Sequence, residues 1–373
     1  MSSLERFAAV NLQDTLEKNL LRELKVTENL DSVHVLRAGK KLISFASNDY
    51  LGLAQHPVVR KAAAVAAEKY GAGAGASRYI TGNHPLYPLL EEKIADFLGF
   101  ADACILGSGY LANIGAIPAL AGKGDLIIAD KLVHACIIDG ARLSDADFLR
   151  FRHNDLQNLR ELLKKNRQKY KNTLIVTEKI FSMDGDRSTL AEIAEIAAEY
   201  DAWILCDAAH SLYFKEKYPA KNFLLMGTFS KALGSYGGYI CGTKIAIDFL
   251  RNKMRSAIFT TALPPAVIAA SIAALHVVKK NQALPSKALA RAKLFASLMG
   301  LKTPECAIVP LIIGDEKRVL LYAKSLEKKG FLVAAIRPPT VRENTSRLRF
   351  SFSAAHSENM IERLAEMLKK VIK

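Results

Sequence analysis

The sequence predicts an α/β fold in which a large domain with a mostly parallel central sheet, flanked by helices, is followed by a smaller α+β C-terminal domain. Two observations carry this prediction. Short apolar runs rich in Ile, Leu and Val alternate with helical patterns over residues 103–242, and the last part of the chain changes to a more polar alternation of strands and helices. The chain has 373 residues, of which 50% are hydrophobic, so it can bury a large core.

Six apolar runs predict the strands of the central sheet. Each is uncharged in its interior, which is typical of parallel strands covered by helices on both faces. Each is also separated from the next by enough chain for a crossover. The runs are "ACIL" (103–106), "DLIIAD" (125–130), "TLIVTE" (173–178), "AWILCD" (202–207), "FLLMGT" (223–228) and "YICG" (239–242).

The region after the proline pair at 264–265 predicts the smaller domain, with strands in "AIVPLII" (307–313), "FLVAAI" (331–336) and "RLRFSFS" (347–353). The last run alternates basic or hydroxyl side chains with apolar ones, which predicts a half-buried antiparallel strand. Residues before about 42 show no strand periodicity. We therefore expect an N-terminal helical segment (1–42) packed with the small domain, a large domain (43–280) and a small C-terminal domain (281–373).

The net charge and the cysteine spacing bear on which classes of function the chain can have. A formal net charge of +15 favours acidic partners. The basic residues are spread along the chain without interleaved aromatic residues, so a nucleic-acid-binding protein, the alternative from another class, explains the pattern poorly. Five well-separated cysteines lack the spacing of metal or disulfide sites, which predicts free thiols in a reducing compartment and no bound metal.

No segment predicts export or a membrane span. The N-terminus carries charges every few residues and is typical of an amphipathic helix, not a signal peptide. Two long uncharged stretches, 103–122 and 256–278, are interrupted by glycine or proline, which would leave backbone groups without partners in lipid. We expect a cytoplasmic protein.

Polar and ionisable residues follow the predicted strands where each strand ends. Because ligands bind at the carboxyl ends of parallel strands, we expect these side chains to converge on one site. They are His134, Glu178, Ser182, Asp207, His210, Thr228 and Lys231. The turn "GSGYLAN" (107–113) leads into a predicted helix, and the free backbone amides at a helix start suit an anion such as a phosphate.

A lysine, a strand-end aspartate and a phosphate-ready turn suit pyridoxal 5′-phosphate (PLP) as cofactor. Lys231 would form the Schiff base, Asp207 would keep the ring nitrogen protonated, and the turn would hold the phosphate. The glycines around Lys231 in "TFSKALGSYGG" (228–238) would leave space for the ring and the substrate.

Simpler interpretations of the same residues remain. Asp207 alone could cap a helix, and Lys231 alone could lie at the surface. A nicotinamide-dependent oxidoreductase also suits an α/β sheet, but "GAGAGAS" (71–77) lacks the third glycine of the dinucleotide fingerprint and no strand precedes it.

Over nearly its full length the chain resembles the α-oxoamine synthases, a family of fold-type I PLP-dependent transferases. The motifs that carry the resemblance are "FASNDYLGLAQHP" (45–57), "GAGASRYITGNHPLYPLLEEKIADFLG" (73–99), "GSGYLAN" (107–113), "FSMDGD" (181–186), "TFSKALGSYGG" (228–238), "TTALPP" (260–265) and "RLRFSFSAAHS" (347–357).

Within that family, "AIRPPTV" (335–341) is most similar to the members that condense L-alanine with a pimeloyl thioester in biotin biosynthesis. The resemblance implies a PLP-dependent acyltransferase whose products are 8-amino-7-oxononanoate, CO₂ and a free thiol. Members that use glycine or serine, such as 2-amino-3-ketobutyrate CoA ligase, 5-aminolevulinate synthase and serine palmitoyltransferase, are similar throughout the cofactor site and form the main alternative.

The resemblance also implies roles in the cofactor site. Lys231 matches the Schiff-base lysine, Asp207 the partner of the pyridine nitrogen, and His210 the residue bonded to the phenolic oxygen of the ring. His134 matches the imidazole that stacks on the ring. Further cofactor contacts are implied for Gly109, Tyr110, Ser182 and Thr228.

Substrate and subunit contacts are implied in the same way. Asn48 lies by the substrate, and Arg349 matches the guanidinium that holds the amino-acid carboxylate. Thr340 and Arg22 align with acyl-substrate positions, and Arg22 would pair with the far carboxylate of a pimeloyl chain. Either Thr260 or Thr261 matches a hydroxyl lent by a second subunit, which implies a homodimer with a shared site. The donor would be pimeloyl-CoA or a pimeloyl-acyl carrier protein, both acidic.

One stretch departs from the family pattern. In "DAAHSLYF" (207–214), Ala208, Leu212 and Tyr213 stand where the family usually has a glutamate and glycines. Asp207 and His210 are kept, so the departure bears on recognition of the acyl donor and not on the cofactor.

Overall fold

The computed structural model describes residues 1–212, 218–219 and 221–372. These residues form two compact units, and Tyr213 of the departing stretch lies outside them. The large unit contains residues 49–182 and 186–286, and the small unit contains residues 1–48, 183–185 and 287–373. The domain boundaries at residues 42 and 280 stay predictions, because a compact unit is defined by contacts and a domain by its capacity to fold alone.

The strands and helices follow one another along the described chain. The strands are β1 (Glu28–Asn29), β2 (His34–Arg37), β3 (Lys40–Ser44), β4 (Asp102–Leu106), β5 (Leu126–Asp130), β6 (Asp147–Phe151), β7 (Thr173–Glu178), β8 (Trp203–Asp207), β9 (Phe223–Thr228), β10 (Gly238–Gly242), β11 (Ile308–Gly314), β12 (Phe331–Leu332), β13 (Ala334–Ile336) and β14 (Ser346–Ser351). The α-helices are α1 (Ser3–Glu17), α2 (Pro57–Tyr70), α3 (Leu86–Leu98), α4 (Gly109–Leu120), α5 (Ala135–Leu143), α6 (Leu156–Asn166), α7 (Leu190–Glu199), α8 (Lys244–Lys253), α9 (Arg255–Ile258), α10 (Pro265–Lys280), α11 (Leu284–Met299), α12 (Glu316–Lys328) and α13 (Glu358–Ile372). A π-helix (Arg78–Gly82) and a 3₁₀ turn (Arg167–Lys169) complete them.

The sheet of the large unit has the strand order β4-β10-β9-β8-β7-β5-β6. Strands β5 to β9 pair in parallel, and β10 runs antiparallel to both of its neighbours. The predicted α/β fold with a mostly parallel sheet is confirmed. The edge strand β6 was not predicted, because its sequence "DFLRF" carries two charged residues that face solvent.

The sheet is buried because its strands are apolar on both faces. Every residue of β5, β7, β9 and β10 is buried. On one face, Ile127, Val176 and Leu205 share a core with residues of α4 and α5. Burial of side chains of this size stabilises the fold by about 1.5–3 kcal/mol each. Burial of these apolar strands therefore stabilises the sheet, and the sheet holds the residues at the strand ends in defined positions.

The small unit contains two sheets, of order β1-β2-β3-β12 and β11-β14-β13. The prediction that no strand precedes residue 42 was wrong, because β2 and β3 form a short hairpin whose charged residues at 37 and 40–41 hide its periodicity. The prediction of a half-buried strand at 347–353 was also wrong. Strand β14 is central to its sheet and buried on both faces, and its arginines are accommodated by polar partners.

Among the described residues, no helix is long and apolar enough to span a membrane. The stretch at 103–122 is divided between β4 and α4, and much of the stretch at 256–278 belongs to α10, which has 16 residues.

The start of β10 makes a close approach that can be tested. A Cβ on Gly238 would lie 2.6 Å from the backbone N of Gly109, at the turn between β4 and α4. We expect Gly238→Ala to lower the free energy of unfolding by about 1–3 kcal/mol, since backbone atoms cannot move aside cheaply. Urea unfolding measures this. Gly122→Ala is the matched control, because a Cβ there meets nothing within 4 Å; equal effects of the two variants would contradict the account.

Candidate active site

A cavity of about 190 Å³ lies at the carboxyl ends of the strands of the large unit. The ends of β7, β8 and β9 and the turn before α4 supply its walls. Its lining residues are Ser108, Gly109, Tyr110, His134, Cys136, Glu178, Asp207, Ala209, His210, Met226, Thr228, Ser230 and Lys231. Seven of the residues expected in the cofactor site from the sequence are therefore brought together here: Gly109, Tyr110, His134, Asp207, His210, Thr228 and Lys231.

Lys231 follows β9 and points its amine at a histidine. Its Nζ lies 2.7 Å from Nε2 of His210, and Nδ1 of that ring lies 2.6 Å from the hydroxyl of Tyr50. His210 and Tyr50 are buried. A protonated Lys231 donates to Nε2, so the ring proton sits on Nδ1 and is donated to Tyr50. A surface role for Lys231 is thus wrong, because its side chain lines the cavity.

The glycines after Lys231 shape a turn and do not line the cavity. Gly234 has φ +61° and a Cβ there would lie 2.7 Å from the Cα of Ala54; Gly237 has φ +114°. These values favour glycine because side chains rarely adopt that backbone conformation. The expectation that these glycines make room for a ring was wrong. They let the chain reverse tightly from β9 into β10.

Asp207 ends β8 as a buried carboxylate held by neutral donors. Its Oδ1 accepts the backbone N–H of Ala209 at 2.9 Å, and its Oδ2 accepts Nδ2 of Asn113 at 2.8 Å. A turn follows it within the described residues, and no helix begins there, so the helix-cap interpretation was wrong. The carboxylate remains directed into the cavity and can accept a further proton donor.

Glu178 and His134 form a second pair beside Asp207. The backbone N–H of His134 donates to Oε1 of Glu178 at 2.5 Å, and Nδ1 of His134 accepts the backbone N–H of Cys136 at 3.2 Å. Burial raises the pKa of Glu178 well above its usual range, and the neighbouring Asp207 carboxylate raises that pKa further. Burial likewise lowers the pKa of His134, as does the Lys231 ammonium, although Asp207 opposes this. A neutral His134 with its proton on Nε2 follows.

The turn before α4 supplies the anion-binding end of the cavity. The hydroxyl of Ser108 caps the helix by accepting the N–H of Leu111 at 3.1 Å, and the first turn of α4 contains no acidic residue. The first backbone N–H groups of a helix have no partner within the helix and carry partial positive charge. The Thr228 hydroxyl donates to the carbonyl of Gly237 at 2.7 Å and accepts from the Ser230 hydroxyl at 2.7 Å, so both hydroxyl protons are engaged.

Three predicted cofactor-site residues of the large unit are not among those that line this cavity. Ser182 is buried after β7. The Thr260 hydroxyl donates to the carbonyl of Ser256 at 2.5 Å, and Thr261 pairs with Ser77 in an isolated β-bridge. The roles of these residues stay predictions.

The predicted substrate residues belong to the small unit. Arg349 lies on β14 and its Nη1 donates to Oδ1 of Asn48 at 3.2 Å and to the Ser351 hydroxyl at 2.8 Å. Its neighbour on the same face, Arg347, is ion-paired with Asp184 at 2.5 Å. Two neutral oxygens thus accept from Arg349, whose planar guanidinium has the donor geometry that can bind a carboxylate ligand.

Arg22 and Thr340 meet at one backbone segment of the small unit. Arg22 donates from Nη2 to the carbonyl of Pro338 at 3.3 Å, and the N–H of Thr340 donates to the carbonyl of Arg337 at 3.1 Å. Arg337 in turn donates to the carbonyls of Asn19 and Leu21. Two arginines therefore tie residues 19–22 to residues 337–340, and the Arg22 charge contributes, after burial, to lowering the pKa of Arg337.

Three residues of the site were not singled out from the sequence. Tyr50 fixes His210, Asn113 fixes Asp207, and Cys136 contacts both Asn113 and His134 through Sγ, at 3.1 and 2.9 Å. Tyr50 and Asn113 lie within the quoted motifs at 45–57 and 107–113, and that placement was the available signal. Burial raises the pKa of Cys136 to about 12, so its thiol stays protonated.

The aminotransferase class I and II family model matches residues 40–368. The chain belongs to this family. Among curated family relatives, the 8-amino-7-oxononanoate synthase of Methylobacterium nodulans is 46% identical over 99% of this chain and 97% of that protein. The 8-amino-7-oxononanoate synthase of Methylorubrum extorquens is 48% identical over 98% of this chain and 96% of that protein.

A solved serine palmitoyltransferase from S. paucimobilis, whose structure contains PLP and myriocin, superimposes with a TM-score of 0.91. It is 27% identical and the match covers 100% of this chain and 98% of that one. The expected fold-type I architecture and the resemblance to the α-oxoamine synthases are confirmed by these relatives.

His153 supports the loop that carries Ser182. Its ring nitrogens lie 2.9 Å from Oδ1 of Asp130 and 2.7 Å from Oδ2 of Asp186, and its ring packs edge-on against Phe181. Burial by itself would lower the pKa of His153, but the hydrogen bonds to Asp130 and Asp186 outweigh it and raise the pKa to about 10.

This arrangement predicts a pH-dependent contribution to stability. Because the folded pKa lies above the value of about 6.5 in an unfolded chain, the contribution is complete below pH 6.5 and declines as the pH rises to about 10. We expect His153→Gln to destabilise the protein by about 1–3 kcal/mol at pH 6, and by progressively less towards pH 10. Urea unfolding across this pH range measures the difference; a constant difference would contradict the protonated-histidine account.

Proposed function

We propose that this chain catalyses the PLP-dependent decarboxylative condensation of L-alanine with a pimeloyl thioester, giving 8-amino-7-oxononanoate, CO₂ and a free thiol, as a step of biotin biosynthesis. The observation that carries the proposal is the cavity in which Lys231, His210 and Asp207 converge at the strand ends. The curated relatives named 8-amino-7-oxononanoate synthase support the choice of reaction within the family.

The residues of the cavity fit PLP. A buried carboxylate, Asp207, can accept a pyridinium N–H, and the backbone N–H groups at the start of α4 offer donors to a phosphate. Lys231 supplies an amine that lines the same cavity. A hydrogen bond between charged groups, such as that from a pyridinium N–H to the Asp207 carboxylate, would contribute about 1.5–3 kcal/mol to binding. When bound, PLP supplies an electron sink that stabilises negative charge at the Cα of an attached amino acid.

Residues of the large unit have separate roles in proton transfer. Lys231 Nζ, held by His210 Nε2, is the base that takes the Cα proton of alanine. His210 keeps that amine in place, and the ring of His210 is itself held by the hydrogen bond between its Nδ1 and the Tyr50 hydroxyl. His134, with its Nδ1 occupied by the Cys136 N–H, presents Nε2–H as a donor to a substrate oxygen.

The residues of the small unit bind carboxylates. Arg349, held by Asn48 and Ser351, orients the alanine carboxylate that is later lost as CO₂. Arg22 and Thr340 bind the far carboxylate of the pimeloyl chain, and the Arg337 contacts hold Arg22 in register with Thr340. The positive net charge favours approach of pimeloyl-CoA or of a pimeloyl-acyl carrier protein.

The proposal includes a cytoplasmic homodimer whose subunits share the site through Thr260 or Thr261. Residues 43–280 would form the PLP-binding domain, and the N-terminal segment 1–42 would pack with the small C-terminal domain, 281–373. Gly109, Tyr110, Ser182 and Thr228 would complete the cofactor contacts.

A glycine- or serine-using α-oxoamine synthase is the second candidate. The observation that favours it is the match over the full chain to a serine palmitoyltransferase. The two candidates share the cofactor site and differ in the amino acid and the acyl chain, so a substrate comparison separates them.

The first test is a visible absorption titration of the PLP-loaded protein with L-alanine, glycine and L-serine, followed by product analysis with pimeloyl-CoA and pimeloyl-acyl carrier protein. We expect the cofactor band to respond at the lowest concentration to L-alanine, and 8-amino-7-oxononanoate to form. A tighter response to serine or glycine, with no product from alanine, would favour the second candidate. A protein that cannot be loaded with PLP would contradict both.

Lys231→Ala tests the role of the lysine. We expect this variant to bind PLP without a borohydride-reducible link to the protein and to lose at least about 10³-fold in turnover, because the general base is removed. Lys179→Met is the matched control, since Lys179 is also a buried lysine after a strand but does not line the cavity. A persistent reducible link in Lys231→Ala would place the attachment at another lysine.

A further inference from the structure

Two carboxyl groups lie side by side at the ends of adjacent strands in the large unit. Glu178 ends β7 and Asp207 ends β8, and these two residues are direct partners in the parallel pairing of the strands. Both line the cavity, and their exposed fractions are only 2% and 5%. Two carboxyl groups that share a buried site do not both ionise, because the second charge repels the first where water screens it poorly. One of the pair therefore keeps a proton.

Hydrogen-bond donors distinguish the two groups. The Asp207 carboxylate accepts two hydrogen bonds, from the backbone N–H of Ala209 at 2.9 Å and from Nδ2 of Asn113 at 2.8 Å. Within the part of the chain that the structure describes, the Glu178 side chain accepts one, from the backbone N–H of His134. Each group thus has one backbone donor, and Asn113 supplies the additional one. Because N–H donors stabilise the ionised form of a carboxyl group, this amide favours the charge on Asp207.

The Asn113 amide is held in the orientation that donates. Asn113 lies on α4 and is fully buried. Its Nδ2 also lies 3.1 Å from Sγ of Cys136, whereas its Oδ1 is buried without a hydrogen-bond partner among the described residues. Turning the amide would place Oδ1 against the Asp207 carboxylate, and two acceptors repel each other. The side chain therefore presents its N–H groups to Asp207.

The surroundings of Glu178 favour its protonated form. Burial, and after it the Asp207 charge, raise the pKa of Glu178 well above its usual range, and Asp130 acts in the same direction. The Lys231 ammonium and the His134 N–H oppose this rise only in part. Oε1 of Glu178 accepts the His134 N–H, so the proton lies on Oε2.

We propose that Asn113 is a positioning residue that assigns the negative charge of this carboxyl pair to Asp207 and leaves the proton on Glu178. The charge then lies on the carboxyl group that is proposed to accept the pyridinium N–H of PLP. The inference rests on that proposed contact, and it does not depend on which amino acid is the substrate. It gives Glu178, which the proposed reaction does not use, the role of a neutral neighbour.

A double-mutant cycle on the full-length protein tests the proposal, with the PLP dissociation constant from visible absorption titration as readout. Asn113→Leu keeps the size of the side chain and removes its N–H donors. We expect it to weaken PLP binding at least about tenfold, because Asp207 no longer holds the charge alone. In a Glu178→Gln background Asp207 is the only carboxyl group of the pair, so Asn113→Leu should weaken binding there by less than about threefold. A loss of packing alone would weaken binding equally in both backgrounds.

Asn172→Leu is the matched control. Nδ2 of Asn172 also donates to an aspartate, to Oδ1 of Asp125 at 2.8 Å, but neither residue is among those that line the cavity. This variant should bind PLP within about twofold of wild type, since distant sites act independently. Circular dichroism checks the fold of each variant. Asn113→Ser, whose hydroxyl is too short to reach Asp207, repeats the cycle if Asn113→Leu does not fold.

Infrared spectroscopy of the PLP-loaded protein locates the proton directly. A protonated carboxyl group has a C=O stretch separate from the bands of a carboxylate, and ¹³C labelling of glutamate carboxyl groups shifts it only when the group belongs to a glutamate. At about pH 8 exposed glutamates are ionised. We therefore expect wild type to show a ¹³C-sensitive protonated-carboxyl band that is absent in Glu178→Gln and weaker in Asn113→Leu.

Three results would each overturn the proposal. They are wild-type PLP affinity in Asn113→Leu, an equal loss of affinity in the Glu178→Gln background, and a wild-type protein without the protonated-glutamate band. All three are measured on protein that binds PLP, so none of them bears on turnover of alanine with a pimeloyl thioester. Failure of the wild type to bind PLP would instead contradict the proposed function.

Discussion

The register of three parallel strands is the constraint on which the candidate site depends. Glu178 at the end of β7 lies opposite Asp207 at the end of β8, and Asp207 lies opposite Met226 of β9. Side chains alternate between the two faces of a strand, so a slip of one residue would turn Asp207 away from the cavity. The apolar residues preceding each strand end prevent that slip because they are buried on both faces of the sheet. The reactive side chains at the strand ends are therefore positioned by apolar residues that take no part in the reaction.

The small unit buries two charged residues on one strand, and it holds them by different contacts. Two arginines point the same way from the central strand β14, and both are almost fully buried. Arg347 is neutralised by Asp184, whereas Arg349 is held by an amide oxygen and a hydroxyl. Buried charges are costly unless they are paired, and the Asp184 carboxylate relieves that cost at Arg347. Arg347 is thus occupied by an ion pair within the small unit, whereas Arg349 stays the residue predicted to bind a carboxylate.

The sequence was most informative for the central sheet, where short apolar runs predicted the strands and the polar residues after them predicted the site. The six apolar runs correspond to strands because no other element buries both faces over so short a length, and Lys231, Asp207 and His210 met because they follow those runs. Strand β6 and the β2–β3 hairpin were missed because their residues are partly charged and solvent-facing, and pairing with neighbours, not local pattern, makes them strands. Tyr50 and Asn113 were missed for a related reason: their partners are distant in sequence, and only the folded chain brings them together. The glycines after Lys231 were misinterpreted because a sequence does not reveal that Gly234 passes against Ala54.

The sheet that contains β3 and β12 joins the two ends of the chain. Ile43 and Ser44 pair in parallel with Phe331 and Leu332, and the whole of the large unit lies between them in the sequence. During synthesis on the ribosome, the first strands must therefore wait for their partner until the large unit has been made. The large unit can complete its own sheet before that, since all seven of its strands precede residue 243. The order of emergence thus allows the cavity at the strand ends to form first, and Arg349 on β14 comes into place only after the whole of the large unit has been made.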